Sequence, residues 1–270
     1  MHLKLALSIF FVALLSLSCK KSGTEEEPGQ TQKKILSRII ETSIAQAGNT
    51  TVFTNFTYDE AGRLIKEKNP ASETNYTYKQ DEVFQVIQQT EFAKITIDFT
   101  YESGRIKKAS VADKRGALVN QFDLKYSYQG DKLLRIDRVS DGIVSGKTEY
   151  QYKGEEVSKT IADDGTNIIT IDYTSDDKKN LHYDLGRQVI DVMASLRSKA
   201  SSLHNFVTEK TTFTLHEGPA TSSLDVSYEY KYDEDGYPVT LIRKSKHSSQ
   251  TVGTESRSTF EYKTVTTTAK

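Results

Sequence analysis

The stretch YEYKYDEDGYPVTLIRK, residues 228–244, has the pattern of a complete β-hairpin. Tyr228, Tyr230 and Tyr232 alternate with charged residues, so three rings lie on one side of a strand and the charges on the other. The segment DEDG then supplies a turn, because carboxylates accept hydrogen bonds from nearby backbone N–H groups and glycine tolerates a positive φ. After Pro238 the alternation resumes. The stretch therefore predicts two antiparallel strands joined by a tight turn.

Weaker copies of this hairpin run through most of the chain. The aromatic residues that close the first arms stand 20 to 27 residues apart; they are Tyr58, Tyr78, Tyr101, Tyr128, Tyr152 and Tyr173. That interval suits two strands and two short turns. Serial hairpins with local turns predict an all-β fold, a single antiparallel meander of roughly a dozen strands. Because the tyrosines recur at period two, we interpret them first as core residues and only second as a surface that stacks on sugars.

Two segments do not follow the hairpin pattern clearly. In residues 181–203, four apolar residues lie at helical spacing: Val189, Ile190, Met193 and Leu196. They predict a helical or irregular insertion near residues 186–200, which we interpret as a connecting helix rather than a ligand gate. Residues 34–42, KILSRIIET, fit either a helix or a strand, and their β-branched content favours a strand.

The N-terminus predicts export. Residues 1–18 have the basic start, the apolar run and the small final residue of a secretory signal peptide, and the run is too short to span a membrane comfortably. Cys19 follows directly and is the single cysteine, so the chain can form no intramolecular disulfide. The segment LSLSC at its end resembles the lipobox of bacterial lipoproteins, although Ser16 stands where that motif normally has leucine. The resemblance implies a lipid on Cys19.

The residues after Cys19 predict a tether and then a domain. Residues 19–33 contain mainly small, charged and turn-forming residues and predict a flexible tether, followed by a β-meander domain over residues 34–270. The acidic cluster at residues 25–27 is similar to the surface-export signal of Bacteroidota lipoproteins. It is equally consistent with a solvated linker.

The charged residues and the histidines indicate no catalytic site, metal site or nucleic-acid partner. A formal net charge of −1 argues against a nucleic-acid partner, because no surplus of cations is available to displace counterions from phosphates. The histidines show no metal-ligand spacing; they are His2, His182, His204, His216 and His247. The acidic clusters at 163–164, 176–177 and 233–235 could bind Ca²⁺, but turn capping is the simpler interpretation. We assign no catalytic, cofactor-binding or metal-binding residue.

Two resemblances follow from these motifs. The segments YDEAG, residues 58–62, and YDEDG, residues 232–236, resemble the YD repeats of large bacterial shell proteins. Together with Cys19 and the late irregular segment, the serial hairpins resemble a Bacteroidota lipoprotein family described as a domain of unknown function with a porin-like fold. That resemblance implies a strongly curved, barrel-like or partly open sheet. It carries over no catalytic residue.

The expected function is therefore that of a non-enzymatic, lipid-anchored envelope protein. Its ligand would be a glycan, a peptide or a lipophilic molecule, and its membrane contact would be the lipid on Cys19. The expected location is the outer membrane at the cell surface, with the periplasmic face left open. Because Lys, Glu, Asp and Gln recur on the outer strand faces, the barrel is expected to stand in water. Two alternatives remain: an assembly partner without a ligand pocket, and a hydrolase with unidentified carboxylates.

Overall fold

The computed structural model describes residues 30–44, 48–180, 202–218 and 220–268. These residues form a closed antiparallel barrel in which each strand pairs with its neighbours in the chain and the first strand pairs with the last. The strands are β1 Gln30–Ile44, β2 Thr50–Tyr58, β3 Leu64–Lys68, β4 Ser72–Lys79, β5 Glu82–Thr90, β6 Ala93–Glu102, β7 Arg105–Arg115, β8 Leu118–Gln129, β9 Lys132–Ser140, β10 Ile143–Lys153, β11 Glu156–Asp163, β12 Asn167–Lys179, β13 His204–Leu215, β14 Ala220–Tyr232, β15 Pro238–His247 and β16 Thr254–Thr268.

The predicted all-β meander and its barrel-like curvature are confirmed. The described residues form sixteen strands rather than a dozen, because very short turns leave almost every residue to a strand. At the β9–β10 turn, for example, Asp141 and Gly142 both have positive φ, as a two-residue type I′ turn requires. Residues 34–42 lie within β1, so the strand interpretation is confirmed. The insertion predicted near residues 186–200 lies outside the described residues.

The hairpin that opened the sequence analysis has the predicted form. Strand β14 ends at Tyr232, β15 begins at Pro238, and Tyr230 pairs with Leu241 across them. The three tyrosine rings of β14 stack in order along one face, with centroids 6.4 Å and 5.8 Å apart. Asp233 accepts hydrogen bonds from the backbone N–H groups of Asp235 and Tyr237, so its predicted turn-capping role is confirmed.

Alternation along each strand separates the barrel interior from its outer face. In β6, Ile97 and Phe99 point inward and are almost fully buried, whereas Asp98 between them points outward and accepts a hydrogen bond from Gln85. The inward apolar residues of many strands contact one another across the barrel as one cluster. Removing each large apolar side chain from water stabilises the fold by roughly 1.5–3 kcal/mol. Inward side chains thus fill part of the barrel interior.

The outer face carries charges around its circumference. Ion pairs join neighbouring strands in separate sectors, with N–O distances of 3.1 Å for Lys66–Glu73, 3.0 Å for Lys159–Asp172 and 2.7 Å for Lys244–Glu229. The residues alternate with inward-facing ones, so they lie on the outside. No helix long and apolar enough to cross a membrane occurs in the described ranges.

Because consecutive strands run in opposite directions, the turns fall at two ends. We call one the tyrosine end; it holds the turns at residues 59–63, 80–81, 103–104, 130–131, 154–155 and 233–237, together with the start of β1. We call the other the open end; it holds the turns at residues 69–71, 91–92, 116–117, 141–142, 164–166 and 248–253. The chain therefore enters and leaves the barrel at the tyrosine end.

The tyrosine end is closed by one repeated contact. In each case the donor is the hydroxyl of an inward tyrosine. The acceptor is a backbone carbonyl in the preceding hairpin, at or near the first residue of its second strand. The pairs are Tyr78 with Leu64 at 2.9 Å, Tyr101 with Val83 at 3.0 Å, Tyr128 with Ile106 at 3.0 Å, Tyr152 with Leu133 at 2.9 Å and Tyr262 with Pro238 at 2.7 Å. Each bond ties a hairpin to its neighbour, and burial raises the pKa of Tyr101 to about 12.

A cation accompanies several of these tyrosines. The guanidinium of Arg63 lies 4.6 Å from the ring centre of Tyr78 and also bonds the turn carbonyl of Gln80. Lys132 repeats the arrangement with Tyr152 at 5.6 Å and the carbonyl of Gly154 at 2.7 Å. The basic residue of one hairpin thus covers the ring of the next and anchors its turn. This is the physical reason for the recurring Tyr–turn–basic pattern in the sequence.

Candidate functional site

A cleft of about 370 Å³ opens into the barrel interior at the open end. Strands β6 to β12 supply its walls, and its volume lies within the range of small-molecule sites. The strands place polar residues at inward positions near this end: Ile95 pairs with Asp113, and Ala93 pairs with Arg115. The barrel interior therefore changes from apolar at its centre to mixed and partly open at this end.

The floor of the cleft is apolar. It is formed by Ile95, Phe122, Ile136, Tyr150 and Ile169. Ile136 and Tyr150 are buried, whereas Ile95, Phe122 and Ile169 keep part of their surface exposed to the cleft. These residues pack against the central cluster from the side of the open end. An apolar ligand group would gain by covering the exposed part of this floor.

The carboxylates of the cleft walls are engaged by groups of this chain. Arg115 donates to both oxygens of Asp113 from Nε and Nη2, at 3.0–3.2 Å. His216 Nε2 lies 2.8 Å from Asp163 Oδ1 and lowers the pKa of that carboxyl. Asp164 accepts hydrogen bonds from the backbone N–H groups of Asn167 and Thr166, which lower its pKa. The lowered pKa means that Asp163 and Asp164 favour their ionised forms.

Arg138 differs from those groups. Its guanidinium lies 4.0 Å from the ring centre of Phe122, over the floor of the cleft. In the described part of the chain it takes part in no salt bridge, and its side chain donates no hydrogen bond. A second hollow of about 410 Å³ adjoins the cleft and shares Arg138, Phe122, Asp113 and Arg115 with it. Leu118, 77% exposed, lines that second hollow.

A larger hollow of about 570 Å³ lies across β13 to β16. Its polar lining includes Lys210, Asp225, Lys244 and Glu255, in which both signs of charge alternate along neighbouring strands. Lys244 is itself paired with Glu229 at 2.7 Å. No group of one charge converges there, so the hollow has the character of a solvated outer face.

Two polar clusters lie elsewhere in the barrel. Glu209, only 1% exposed, accepts a hydrogen bond from Tyr228 at 2.8 Å, and burial together with this carboxylate raises the pKa of Tyr228. Glu156 bonds the hydroxyl of buried Ser202 and lies 2.8 Å from His204 Nδ1. A nucleophilic serine needs the histidine between itself and the acid. Here the carboxylate stands between the other two, so the cluster lacks the geometry of a hydrolytic triad.

The histidines and acidic clusters singled out in the sequence are dispersed. His204, His216 and His247 contact Glu156, Asp163 and Ser249 respectively, in different parts of the barrel. His2 and His182 lie outside the described residues, as does Cys19. Within the described ranges, no group of three or more His, Cys, Asp and Glu side chains is placed to hold a metal ion.

Sequence reasoning found the tyrosines but missed Arg138 and Phe122. The signal was present: the turn at residues 130–131 sets the register in which Tyr126 faces Ile136 and Leu124 faces Arg138. Extending the inward alternation past these pairs brings Phe122 and Arg138 to the same face. Charged residues at inward positions near the ends of strands are therefore the feature to look for in such hairpins.

Comparison with known proteins identifies the fold. No protein-family model matches the chain, and no curated protein matches it. Two solved structures share its barrel. A porin-like protein from Bacteroides uniformis matches with a TM-score of 0.55 at 15% identity, covering 84% of this chain and 96% of the other. A porin-like protein from Bacteroides vulgatus matches with a TM-score of 0.53 at 15% identity, covering 86% and 99%. The chain has the porin-like all-β fold of these proteins.

Proposed function

We propose that this chain is a non-enzymatic, lipid-anchored protein of the cell envelope that binds a small lipophilic ligand in the open-end cleft. The observation that carries the proposal is the cleft itself, a hollow of about 370 Å³ with an apolar floor beside the central cluster of the barrel. Of the three ligand classes expected from the sequence, a lipophilic molecule fits this floor best. The two Bacteroides proteins of the same fold are consistent with an envelope location.

The alternatives have less support. An assembly partner without a ligand site would have an interior packed throughout, whereas this barrel is open at one end. A hydrolase would be expected to hold a carboxyl of raised pKa in its cleft. The pKa of Asp163 and of Asp164 is instead lowered. Both observations favour binding over assembly or catalysis.

The outer face supports a barrel that stands in water. Its interstrand ion pairs include Lys159–Asp172 and Lys244–Glu229. A basic residue facing lipid near the middle of a bilayer costs about 2–4 kcal/mol. The proposed membrane contact is therefore the lipid on Cys19, and the tether would join the barrel at its tyrosine end, where β1 begins. The open end would then face away from the anchor.

The cleft is tested with two substitutions at adjacent positions of β12. Ile169 lines the cleft, whereas Ile168 points to the opposite face of the same strand. We expect the purified protein to bind the neutral fluorescent probe N-phenyl-1-naphthylamine saturably. Ile169→Trp should abolish that binding by filling the cleft, and Ile168→Trp should leave it unchanged. Binding that is the same in both variants, or absent from the unaltered protein, would contradict the proposal.

The anchor is tested separately by intact mass and protease shaving of cells that express the native chain or Cys19→Ala. We expect an acyl mass on Cys19 in the native protein and none in the variant, since the thiol is the acylated group. Release of the barrel by protease from intact cells would show that it lies on the outer surface. Protection from protease would place it on the periplasmic side, and a native protein without acyl groups would refute the anchor.

A further inference from the structure

Building on the proposed binding function, we infer that the ligand of the cleft is an amphipathic anion: a carboxylate, phosphate or sulfate head on an apolar body, with the head held by Arg138. The inference rests on three features of the open end. They are the lack of an acidic partner for Arg138 among the described residues, its position over Phe122, and the apolar floor that continues from that ring.

Arg138 differs from the other arginines of the described residues in its polar partners. Six arginines of the described residues form salt bridges; they are Arg38, Arg63, Arg105, Arg115, Arg135 and Arg257. Arg243 interacts with Tyr228 instead. Arg138 is the remaining arginine of these ranges, and it has neither kind of polar partner. The carboxylates of the cleft wall are instead bonded by Arg115, His216 or backbone N–H groups.

The position of Arg138 suits recognition of an anionic head. Stacking over Phe122 at 4.0 Å orients the guanidinium plane, and the N–H groups at its edge are left for a ligand. A guanidinium presents parallel N–H groups that match the two oxygens of a carboxylate, or those of a phosphate or sulfate. Because the ring already orients the side chain, less conformational freedom is lost when the anion binds.

The apolar body has room beside this cation. Phe122 and Ile136 lie next to Arg138 in the floor of the cleft, and Ile95 and Ile169 add apolar surface to the same floor. The adjoining hollow of about 410 Å³ adds the exposed side chain of Leu118 on the outer side. A molecule with its charge at Arg138 can thus place an alkyl or aromatic portion on either side of Phe122. The floor accounts for the lipophilic part of the ligand, and Arg138 for the anionic part.

The test compares two probes that share one aromatic skeleton. The anion 8-anilinonaphthalene-1-sulfonate differs from neutral N-phenyl-1-naphthylamine by its sulfonate group. With the full chain, we expect Arg138→Gln to weaken binding of the anionic probe about tenfold, because a charge-assisted contact is lost. The neutral probe should bind with unchanged affinity. Raising the ionic strength should weaken only the anionic probe in the unaltered protein.

Arg257→Gln is the matched control. It removes the same charge from the outer face, where Arg257 is paired with Glu255 at 2.9 Å. If this variant weakens the anionic probe as much as Arg138→Gln does, or if Arg138→Gln has no effect, the inference is refuted while the cleft itself stands. If the unaltered protein binds neither probe, the proposed function fails first. Equal thermal unfolding of the variants excludes a folding defect as the cause.

Competition then identifies the head group. Decanoate, decyl phosphate and decyl sulfate each carry one of the three head groups on the same chain, and 1-decanol carries none. We expect at least one of the anions to displace the anionic probe at a concentration about tenfold below that needed for 1-decanol. The strongest competitor names the head group. Displacement by 1-decanol as effective as by all three anions would overturn the inference.

Discussion

The two ends of the barrel are formed by the same strands but differ in their side-chain contacts. At the tyrosine end, Tyr78 and its counterparts in other hairpins bond a backbone carbonyl of the neighbouring hairpin, and cations such as Arg63 cover their rings. At the open end the inward positions include polar residues such as Asp113, and two apolar side chains are exposed: Phe92 in a turn, at 78%, and Ile143 at the start of β10, at 72%. The same strands thus form a closed, regular end and an open, irregular one.

The difference shows how one repeat can supply both stability and a site. Contacts that recur from hairpin to hairpin stabilise the tyrosine end. A substitution of an inward tyrosine there would remove a hydrogen bond to the neighbouring hairpin. Among the described residues of the open end, no tyrosine–carbonyl bond between hairpins recurs; the contact that recurs there is a turn cap within one hairpin, at Asn69, Thr90 and Asp164. The candidate cleft lies there, on the half of the barrel that the repeat leaves unconstrained.

The largest expected difference between the two regions is in stability. Ile97, 1% exposed, belongs to the central cluster beneath the tyrosine end, whereas Val144 is 53% exposed at the open end. Ile97→Ala should lower the free energy of unfolding by about 2–5 kcal/mol, because it removes buried methyl groups and leaves a cavity. Val144→Ala should change it by less than about 0.5 kcal/mol. Denaturation in urea measures both changes in the free energy of unfolding. Equal losses in the two variants would contradict the expected difference between the buried centre and the open end.

A second effect is expected at alkaline pH, and the tyrosine end should contribute to it. Burial raises the pKa of Tyr78, Tyr101 and Tyr152 to about 12. An unfolded tyrosine ionises near pH ~10, so the folded state binds more protons between these values and its stability falls as pH rises. The contribution is complete below pH ~10 and is lost toward pH ~12. Unfolding free energies across this range, with tyrosinate absorbance, measure it.

Tyr101→Phe sharpens this comparison and carries the smallest effect. The variant removes one ionisation and the hydrogen bond of 3.0 Å to the carbonyl of Val83. At pH ~8 it should cost about 1 kcal/mol, the usual net value of such a bond. Above pH ~10 the loss of stability should become less steep than in the unaltered protein. A variant that keeps the full alkaline slope would show that other groups cause it.

Much of the fold could be predicted because its signals are local. The alternation of Tyr228, Tyr230 and Tyr232 gives their common face, and the acidic turn after them gives the hairpin. Some short turns carry a local signal as well: Asp141 and Gly142 form the Asp-Gly pair that a two-residue type I′ turn favours. The cleft could not be predicted, since it depends on how inward residues of separate hairpins come together. Arg138 belongs to no sequence motif. It stands out only in the structure, because no acidic residue of the described ranges pairs with it.

By itself, the sequence determined the all-β class, the hairpins and the inward position of the tyrosines, because turn chemistry and a period of two act over a few residues. The first 19 residues also predict export and a lipid on Cys19; these residues lie outside the described ranges. Tertiary structure alone decided that β1 pairs with β16, that hydrogen bonds join the hairpins at the tyrosine end, and that Arg138 lies over Phe122 with no acidic partner in the described ranges. These features arise from contacts between strands and from the volume that side chains leave empty. Both the contacts between distant strands and the empty volume exist only in the closed barrel.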